Sequence, residues 1–477
     1  MMSDSNKLGI IAENLDNVLE SAYIPELGEP KKGKVRDIYF SGDNVIMIAS
    51  DRISAFDEVL SRCIPFKGAV LNGISGYAMN RFNIPTAMKD VPHPNVIVQR
   101  RLQNIGIECI VRGYVWGSMA KDYENGKRDI CGIELPDDLL RYQKLDEPLF
   151  TPTTKAEKGR HDENITFEQM AEILGKERAE GVRRFSSDLF KNFSEYAASK
   201  DLILIDTKYE FGAADEQGTL YLIDEATTPD SSRFCAIDEW NEKFPKIAEE
   251  MKTGKYKSVS KLLEEKPELK IKEESKQFVR DILLEAGYEE GKPIPDLTDN
   301  QVIEASFRYV RVYEAFTGKA FDFESALNAR ETMVDSLAKA GYIRGGCIAF
   351  MLASESDKPH AEKLVAAAKE HGVAFMEPFY GSAHKETRKV LAHHDKLNQS
   401  LEPVVVITSA GRSDGLGPVS AGNSRFPVIA CNPYKDISTY AVDVHSSLRA
   451  PSKLPLAVIA DPGNAVLYAK RILDLKR

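Results

Sequence analysis

The last third of the chain alternates short apolar runs with helix-like segments, and this rhythm constrains the fold more than any other feature. From Gly345 onward the runs are CIAFML, VAFMEPF, PVVVITSA, FPVIACNP and LPLAVIAD. Strands that alternate with helices form a parallel sheet with helices on both faces. We therefore predict an α/β domain here. Ligands of such sheets bind where loops leave the carboxyl ends of the strands.

The residues before this domain fall into two further zones. Residues from about 30 to 240 mix short β-rich runs with polar turns, which is typical of an α+β domain. Residues from about 243 to 342 are rich in Lys and Glu, and stretches such as SKQFVRDILLEAG have apolar residues at helical spacing. The stretch from about Phe323 to Gly341 is expected to be a connecting helix with little hydrophobic excess.

Composition excludes several classes of protein. A chain of 477 residues is expected to form two or three domains. Its 63 Lys and Arg against 73 Asp and Glu give a net charge of -10, which argues against a protein that coats nucleic acid. We find no signal-peptide core and no run of about 18 apolar residues, so no membrane association is expected. The 6 scattered cysteines favour free thiols in a reducing cytoplasm.

The segment LILIDTKYEFGAADEQGTLYLIDEATTPDSSR, from Leu202 to Arg233, predicts a β-hairpin with a glycine-bounded turn. Alternation along its first strand places Asp206, Lys208 and Glu210 on one face. Asp224 follows the returning strand. Carboxylates at strand ends suit a divalent ion that bridges nucleotide phosphates, and Lys208 suits a phosphate or an oxyanion. The alternative is that these charges decorate the solvent face of a hairpin.

Other segments of the first zone suit phosphate binding. In GKVRDIY, a small residue, Gly33, precedes Lys34 and Arg36, which are expected on one strand face; a solvated basic strand is an equal alternative. In ECIVRGYVWGS, Arg112 ends a buried strand, where either an internal carboxylate or a ligand phosphate must meet it. The segment PDSSR, which ends at Arg233, supplies hydroxyl and guanidinium donors for a phosphorylated substrate.

A polar loop separates these strands from the hairpin. FTPTTKAE (residues 150–157) and HDENI (residues 161–165) have the composition of a loop. The loop is interpreted either as a segment that closes over substrate or as an ordinary surface loop.

Six motifs of the first zone resemble, in order and spacing, phosphoribosylaminoimidazole-succinocarboxamide synthase: GKVRDIY, SDRISAFD, ECIVRGYVWGS, FTPTTKAE–HDENI, LIDTKYEFG and DEATTPDSSRF. The later KQFVRD and YEAFTG helices resemble the carboxyl-terminal part of its longer form, so the resemblance covers roughly 8–322. It implies an ATP-dependent ligase with an ATP-grasp-like fold. The family joins L-aspartate to carboxyaminoimidazole ribonucleotide through an acyl phosphate and forms the succinocarboxamide product, SAICAR. A kinase for a small phosphorylated substrate is a weaker alternative.

This resemblance also implies the site residues of the first domain. It places Mg²⁺ on Glu210 and Asp224. It places the nucleotide phosphates of ATP at Gly33, Lys34 and Arg36. The residues implied around the ribonucleotide are Arg112, Ser118, Lys208, Ser231 and Arg233, with Lys208 in a catalytic role.

Polar segments also follow the strands of the last zone. Ser354 and Asp357 open a helix, where hydroxyls and backbone N–H groups suit a phosphate, although a plain N-cap is the simpler interpretation. His384 is suited to move a proton near neutral pH, or alternatively to cap a helix or fill a core. The glycines of SAGRSDGLG allow close approach to a small ligand. His393 and His394 on the next helix are interpreted as a surface pair.

The motifs SESD, SAHK, AGRSDGLGPV and SSLRAPS resemble aminoimidazole ribonucleotide carboxylase over roughly 345–475. This resemblance implies a three-layer α/β fold of the Rossmann or flavodoxin type for 344–477, with 323–343 as linker, and assembly as a homo-octamer. The SAHK lysine and the GRS loop resemble the animal-type branch, which takes CO2 directly; the other branch rearranges an N-carboxylated ribonucleotide. His384 would move the proton at the imidazole carbon. The residues implied around CO2 and the ribonucleotide are Lys385, Ser413, Gly415, Ser354, Asp357 and Ser382.

Two positions depart from the second family. Ala353 stands where glycine is usual and is expected to crowd the phosphate, and Asp414 stands where asparagine is usual and is expected to add a negative charge near a carboxylate product. Both resemblances together predict a bifunctional enzyme of purine biosynthesis that carboxylates aminoimidazole ribonucleotide and then joins the product to aspartate. The alternative is a carboxylase-like domain that is idle and is kept for oligomerisation or nucleotide sensing.

Overall fold

The computed structural model describes residues 2–56, 58–154, 163–214, 219–274, 276–289 and 291–475. These residues form two compact units. The first comprises Met1–Glu20 and Lys32–Ala329, and the second comprises Ser21–Lys31 and Arg330–Arg477. Residues 155–162 of the predicted polar loop and Asp57 of the SDRISAFD motif lie outside the described residues.

Strands of the first unit form two main sheets. In chain order they are β1 (Lys31–Lys32), β2 (Arg36–Ser41), β3 (Asn44–Ala49), β4 (Ser54–Ala55), β5 (Glu58–Val59), β6 (Met88–His93), β7 (Val96–Arg100), β8 (Gln103–Tyr114), β9 (Asp129–Ile130), β10 (Ile133–Glu134), β11 (Lys144–Thr154), β12 (Glu163–Asn164), β13 (Leu202–Ala213), β14 (Leu220–Ile223) and β15 (Ser232–Ala236). One sheet has the order β1-β2-β3-β7-β6. The other has the order β12-β11-β8-β13-β14, with β15 also paired to β13.

Helices pack around these sheets and include a carboxyl-terminal helical region. They are α1 (Asp4–Glu13), α2 (Lys67–Arg81), α3 (Gly117–Glu124), α4 (Phe167–Leu174), α5 (Lys176–Ala198), α6 (Ile237–Lys252), α7 (Val259–Glu265), α8 (Gln277–Glu285), α9 (Asp299–Thr317) and α10 (Phe323–Leu327), with a 3-10 turn at Pro267–Leu269. Antiparallel sheets with separate helices confirm the α+β class expected for this region.

The predicted pairing of the two hairpin strands is confirmed, and the first strand lies inside the second sheet; residues 215–218 of the predicted turn lie outside the described residues. Strand β13 pairs antiparallel with β14, with Glu210 opposite Ile223. On the other side β13 pairs antiparallel with β8. Almost every residue of β13 is buried, so its charged side chains do not lie on a solvent-exposed face of the hairpin. The cation and carboxylates of this strand therefore require partners or ligands.

The second unit contains a parallel sheet. Its elements are α11 (Ala329–Lys339), β16 (Cys347–Leu352), α12 (Lys358–Glu370), β17 (Ala374–Phe375), β18 (Phe379–Tyr380), α13 (Thr387–Leu397), β19 (Val404–Ser409), α14 (Leu416–Asn423), β20 (Val428–Ala430), α15 (Ile437–Asp443), α16 (His445–Leu448), β21 (Leu456–Val458) and α17 (Pro462–Asp474), with 3-10 turns at Pro25–Leu27 and Glu355–Asp357. The order β17-β16-β19-β20-β21 is that of flavodoxin-like sheets, with the switch point between β16 and β19.

Helices cover both faces of this sheet, which confirms the three-layer prediction. Alternate residues of β16 enter two different cores. Ile348 and Phe350 pack in a core with residues of α12 and α17. Ala349 and Met351 pack in a core with residues of α13 and α14. This division follows from the period of two along a strand.

Two local predictions were wrong. The run VAFMEPF forms two short strands, β17 and β18, rather than one. Both pair with β16, and the chain between them contains Pro378, which cannot donate a ladder hydrogen bond. The segment 323–343 contains two helices, α10 and α11, because Asn328 leaves the helical conformation (φ -107°, ψ 36°). Phe323, Met333 and Leu337 are buried, so this segment packs on more apolar surface than its composition indicates.

The segment Ser21–Lys31, which was expected to belong to the first domain, is part of the second unit. Tyr23 forms a parallel bridge with Ser400, and its carbonyl accepts a hydrogen bond of 2.8 Å from the Leu401 N–H. The Glu26 carboxylate accepts from the backbone N–H groups of Arg344 (2.8 Å) and Gly345 (3.2 Å). The second unit is therefore discontinuous in sequence.

A buried carboxyl group lies beneath this segment. Glu402 is almost fully buried, and its Oε1 accepts hydrogen bonds from the Glu26 N–H (2.5 Å) and the Cys347 thiol (3.6 Å). Its Oε2 has no hydrogen-bond partner among the described residues. Burial raises the pKa of Glu402 from 4.5 to about 8, although the N–H of Glu26 opposes this change.

We predict that Glu402→Gln removes a pH-dependent loss of stability. The folded chain keeps a proton on Glu402 that the unfolded chain releases near pH 4.5, so raising the pH from 5 to 8 favours unfolding. Urea unfolding of the full chain at several pH values should show the wild-type free energy falling relative to the variant by up to about 1.4 kcal/mol per pH unit. Parallel pH curves for the two proteins would contradict this assignment.

Across the described ranges, no helix is both long enough and apolar enough to cross a membrane. This agrees with the absence of a long apolar run in the sequence.

Candidate active sites

The first unit contains a cavity of about 310 Å³ at the ends of β8, β13 and β15. It is lined by all five residues that the first resemblance assigns to the ribonucleotide: Arg112, Ser118, Lys208, Ser231 and Arg233. Its other charged lining residues are Asp206, Asp230, Lys276 and Arg280. Cations therefore outnumber carboxylates in this lining, and such a cavity suits a phosphorylated ligand.

Asp206 forms ion pairs with two of these cations. The sheet register places it opposite Arg112 of β8 and opposite Arg233 of β15. Its Oδ2 accepts hydrogen bonds from Arg112 (3.3 Å) and Arg233 (2.6 Å), and the Arg112 Nε also donates to Thr151 Oγ1 (3.1 Å). The internal carboxylate that Arg112 requires is therefore present. The Arg233 Nε also lies 3.6 Å from Glu273 Oε2, so two carboxylates balance the two guanidinium groups of this cluster.

Glycine at position 117 allows the Arg233 guanidinium to lie in this place. Gly117 has φ +57°, and a Cβ there would meet the guanidinium carbon of Arg233 at 2.9 Å. It begins α3, whose second residue, Ser118, is exposed in the cavity lining. The segment from Arg112 to Ser118 thus forms the end of β8, a turn at Gly117 and the start of α3.

Lys208 lies between acidic groups on neighbouring strands. Its Nζ donates to Glu108 Oε1 at 2.6 Å and lies 3.9 Å from Glu210 Oε1. Although burial alone would lower it, these carboxylates raise the pKa of Lys208. Lys208 is therefore a cation that can neutralise an anionic group in the cavity.

Of the predicted metal ligands, Glu210 lies on β13 and Asp224 directly follows the neighbouring strand β14. Glu210 is opposite Ile223, and Asp224 is the next residue along the chain. Glu210 accepts a hydrogen bond from Asn104 (3.0 Å). Across the described part of the chain, no group of three or more His, Cys, Asp and Glu could hold a metal by itself. An ion that bridges nucleotide phosphates needs only one or two carboxylates, so this pair fits Mg²⁺ bound with ATP.

Arg36 contacts the predicted metal ligand directly. Its guanidinium donates to Asp224 (2.8 Å) and to Glu225 (2.6 Å), which places Arg36 beside the predicted metal ligands. Lys34, however, lies exposed in a bend before β2, so the expected shared strand face is wrong. The reason is a turn at Gly33, whose N–H donates to the Arg36 carbonyl at 2.8 Å.

The second unit contains a cavity of about 570 Å³ at the carboxyl ends of β16 and β19, which is the switch point of its sheet. It is lined by all seven residues that the second resemblance implies: Ser354, Asp357, Ser382, His384, Lys385, Ser413 and Gly415. Ala353 also lines it. The topology thus brings together segments that are far apart in sequence.

His384 packs against the glycine loop that follows β19. A Cβ at Gly415 would meet the imidazole at 2.6 Å, so only glycine permits this approach. His384 itself is exposed in a turn rather than buried in a core. The turn is held by the Lys385 N–H, which donates to Ser382 Oγ (3.3 Å), and by Glu386, whose carboxylate accepts from the Ser382 N–H (3.2 Å). An exposed, fixed imidazole at a cavity suits proton transfer.

Ser354 and Asp357 line the same cavity from the turn after β16. The Ser354 Oγ accepts from the Ser356 N–H (3.2 Å), so the N-cap interpretation is correct for its side chain. Asp357 has a different environment. Its Oδ2 is buried without a hydrogen-bond partner among the described residues, and burial raises its pKa. An unsatisfied acceptor in a cavity lining is suited to a ligand hydroxyl.

His393 and His394 do not form a surface pair. His394 is fully buried and hydrogen-bonds through Nε2 to Ser420 Oγ (2.9 Å). His393 stacks on the ring of Phe379, with centroids 4.1 Å apart. Burial lowers the pKa of each imidazole to about 4. These histidines therefore pack α13 onto its neighbours.

Comparisons with known proteins find a match for each of the two parts of the chain that contain these cavities. The family model for SAICAR synthetase matches residues 29–257, and that for AIR carboxylase matches residues 347–477. A phosphoribosylaminoimidazole-succinocarboxamide synthase of Cytophaga hutchinsonii is 39% identical over 315 residues, which are 65% of this chain and 94% of that protein.

The chain belongs to the phosphoribosylaminoimidazole-succinocarboxamide synthase family.

Two solved structures are similar to parts of this chain. SAICAR synthase from Saccharomyces cerevisiae, complexed with SAICAR, has 27% identity and a TM-score of 0.53 and covers 64% of this chain and 99% of its own. Treponema denticola PurE has 35% identity and a TM-score of 0.27 and covers 28% of this chain and 82% of its own. The protein is an enzyme of purine biosynthesis in which a SAICAR synthetase domain is fused to an AIR carboxylase domain. We call the first compact unit the synthetase unit and the second the carboxylase unit.

Sequence reasoning missed a buried network beside the synthetase cavity. Lys67, which is fully buried, donates to Asp230 (2.7 Å), and Tyr309 donates to the same carboxylate (2.7 Å). Although burial alone would raise it, Lys67 holds the pKa of Asp230 well below its ordinary value. Burial lowers the pKa of Lys276 to about 8, and its Nζ donates to Ser54 Oγ (2.9 Å). The KQFVRD motif was the available signal for Lys276.

We predict that Gly415→Ala impairs the carboxylase unit selectively. The new Cβ displaces His384, and a displacement of about 1 Å can cost about 100-fold in rate. The carboxylation rate should fall by about this factor, while aspartate-dependent ADP release stays unchanged. Gly422→Ala, in α14, is the matched control because its Cβ meets only the end of the Leu454 side chain, at 3.1 Å. An equal effect of both substitutions on carboxylation would contradict the role of Gly415.

Proposed function

We propose that the carboxylase unit converts aminoimidazole ribonucleotide and CO2 to carboxyaminoimidazole ribonucleotide, and that the synthetase unit joins this carboxylate to L-aspartate with ATP. The observation that supports the proposal is the presence of both cavities in one chain, the first lined by every residue implied for its ribonucleotide and the second by every residue implied for CO2 and the ribonucleotide. The carboxylate that the first reaction forms is the group that the second reaction activates.

Proton transfer by His384 is the proposed chemical contribution of the carboxylase unit. The imidazole carbon of the substrate forms a bond to CO2 and then loses its proton, which His384 accepts. Lys385, Ser413 and Gly415 would surround CO2, and Lys385 would neutralise the new carboxylate. Ser354, Asp357 and Ser382 would hold the ribonucleotide, with the unsatisfied Asp357 oxygen available to a hydroxyl group. Direct use of CO2 is proposed from the SAHK and GRS elements.

Positioning and charge neutralisation are the proposed contributions of the synthetase unit. ATP transfers its γ-phosphoryl group to the imidazole carboxylate, and the aspartate amine then displaces phosphate from the acyl phosphate. Arg112, Ser118, Ser231 and Arg233 would hold the ribonucleotide, while Lys208 would neutralise charge at the reacting carboxylate. Gly33, Lys34 and Arg36 would lie near the nucleotide phosphates, and an ATP-grasp-like topology stays a prediction.

Mg²⁺ fits the proposed reaction as the partner of ATP. Glu210 and Asp224 would hold the ion, which when bound neutralises charge on the nucleotide phosphates. The contact between Arg36 and Asp224 orients this carboxylate in the absence of nucleotide.

We predict that Asp224→Asn and His384→Asn separate the two activities. Asp224→Asn should reduce ligation by about 100-fold or more and leave carboxylation intact, because the residues of the two cavities lie in different compact units. His384→Asn should reduce carboxylation by a similar factor and leave ligation intact. Carboxylation is followed by absorbance of its product, and ligation by aspartate-dependent ADP release from supplied carboxyaminoimidazole ribonucleotide.

Each variant serves as the control for the other, since its retained activity shows that it is folded. Loss of both activities in one variant would contradict the assignment of one reaction to each unit. Carboxylation that is absent in the wild type, or unchanged in His384→Asn, would favour the idle carboxylase-like domain. ADP release without aspartate dependence would favour a kinase.

We also propose that the chain assembles as a homo-oligomer, with the octamer as the expected state. Large apolar side chains are exposed on α15 and α16: Ile437 (84% exposed), Val442 (70%) and Leu448 (61%). Monomeric proteins rarely expose such clusters, so this surface is suited to self-association.

We predict that replacing Ile437, Val442 and Leu448 together by serine lowers the molecular mass in solution, because burial of the three apolar side chains would stabilise the assembly. Light scattering coupled to size-exclusion chromatography measures the mass. Leu284→Ser, which changes an exposed leucine of α8, is the matched control and should leave the mass unchanged. A wild-type monomer, or an unchanged mass in the triple variant, would contradict this surface as the interface.

A further inference from the structure

The carboxylate of Asp414 is directed into a buried hydrogen-bond network rather than into the carboxylase cavity. Asp414 is 3% exposed and is not among the residues that line the cavity. Its Oδ1 accepts from the Gly417 N–H (2.7 Å). Its Oδ2 accepts from Asn432 Nδ2 (3.2 Å) and from Ser447 Oγ (2.7 Å). The expectation that Asp414 adds a negative charge near the product is therefore wrong.

The partner amide, Asn432, has only one orientation that satisfies its neighbours. Its Oδ1 accepts from the Ala410 N–H (2.9 Å), and its Nδ2 donates to Ser447 Oγ (3.0 Å) as well as to Asp414. Rotating the amide would place its NH2 group against the Ala410 N–H. Position 414 therefore faces donors on every side, and a carboxylate is the side chain that accepts without donating.

This network holds the loop that completes the cavity. The Asp414 N–H donates to Ser446 Oγ (2.8 Å), so the segment that contains the SSLRAPS motif holds both the backbone and the side chain of residue 414. The flanking residues, Ser413 and Gly415, line the cavity, and Gly415 contacts His384. A Cβ at Gly417 would meet Asp414 Oδ2 at 2.6 Å, so this glycine permits the close contact.

We propose that Asp414 is a positioning residue of the carboxylase site, matched to Asn432, which fixes Ser413 and Gly415 against His384. The inference rests on the proposed carboxylation by this cavity. An asparagine at 414 that kept its oxygen on the Gly417 N–H would turn its NH2 group toward the Asn432 NH2 group. Two donors would then face each other in a buried place, which is destabilising. This chain uses aspartate at 414 because it has asparagine at 432.

The exchange of the two residues tests the proposal in the full-length protein. Asp414→Asn should lower kcat/KM for aminoimidazole ribonucleotide at least tenfold, mainly through kcat, which is about 1.4 kcal/mol of transition-state stabilisation. Asn432→Asp alone should also lower it, because two carboxylates then face each other. The double exchange keeps an oxygen on the Gly417 and Ala410 N–H groups and reverses the bond between the two residues and their two bonds to Ser447, so it should restore activity to within about threefold.

Further measurements separate this inference from the proposed carboxylation. Hydrogen exchange of the segment 411–417 reports anchoring of the loop even if the wild type does not carboxylate. It should rise in each single variant and return to the wild-type level in the double exchange, whereas unchanged exchange in the single variants overturns the inference. A lower melting temperature with an unchanged kcat also overturns it, because it indicates a purely structural role. Aspartate-dependent ADP release should be equal in all four proteins.

Discussion

The synthetase cavity depends on the register of one strand, β13, with its two neighbours. This register places a single carboxylate, Asp206, opposite Arg112 on one side and opposite Arg233 on the other. Burying two guanidinium groups without a partner would be strongly destabilising, and Asp206 is the carboxylate that both of them contact. A shift of one residue would turn Asp206, Lys208 and Glu210 to the opposite face of the sheet. The hydrophobic pattern that fixes the register therefore also fixes the charges of the site.

The carboxylase cavity is built on a different principle. Its sheet contributes apolar strands, and the functional groups come from the loops that follow β16, β18 and β19 near the switch point. Close approach there depends on the absence of side chains, as at Gly415, which lies against His384. Loops need anchors to hold such positions, and Asp414 with Asn432 provides one. In the synthetase unit, ion pairs between residues of neighbouring strands hold the site residues in place.

Sequence reasoning found most of both sites because their residues belong to local motifs. The hairpin with Lys208 and Glu210 follows from alternation and a glycine turn, and both cavities contain every ribonucleotide residue that the resemblances implied. Long-range partners were missed because no local pattern reports them. Lys67 meets Asp230 across 163 residues of chain, and Ser21–Lys31 packs on a unit that begins again at Arg330.

Some side-chain directions were predicted wrongly for the same reason, because local patterns do not report tertiary contacts. Spacing alone cannot show that Asp414 points away from its cavity or that His394 is buried, because tertiary packing decides both. Lys34 was placed on a strand face since the turn at Gly33 was not foreseen. Most corrected features of the sites are side-chain directions, whereas the strand and helix patterns were largely foreseen, apart from the two strands in VAFMEPF and the two helices in 323–343.

The central claim is that one polypeptide installs a carboxylate in its second unit and activates the same carboxylate in its first. The most direct measurement supplies the purified chain with aminoimidazole ribonucleotide, ¹³C-labelled bicarbonate, ATP, Mg²⁺ and L-aspartate, and locates the label by NMR. The account predicts ¹³C at the amide carbonyl carbon of the succinocarboxamide product. Absence of this product, or a product without label at that carbon, would contradict it.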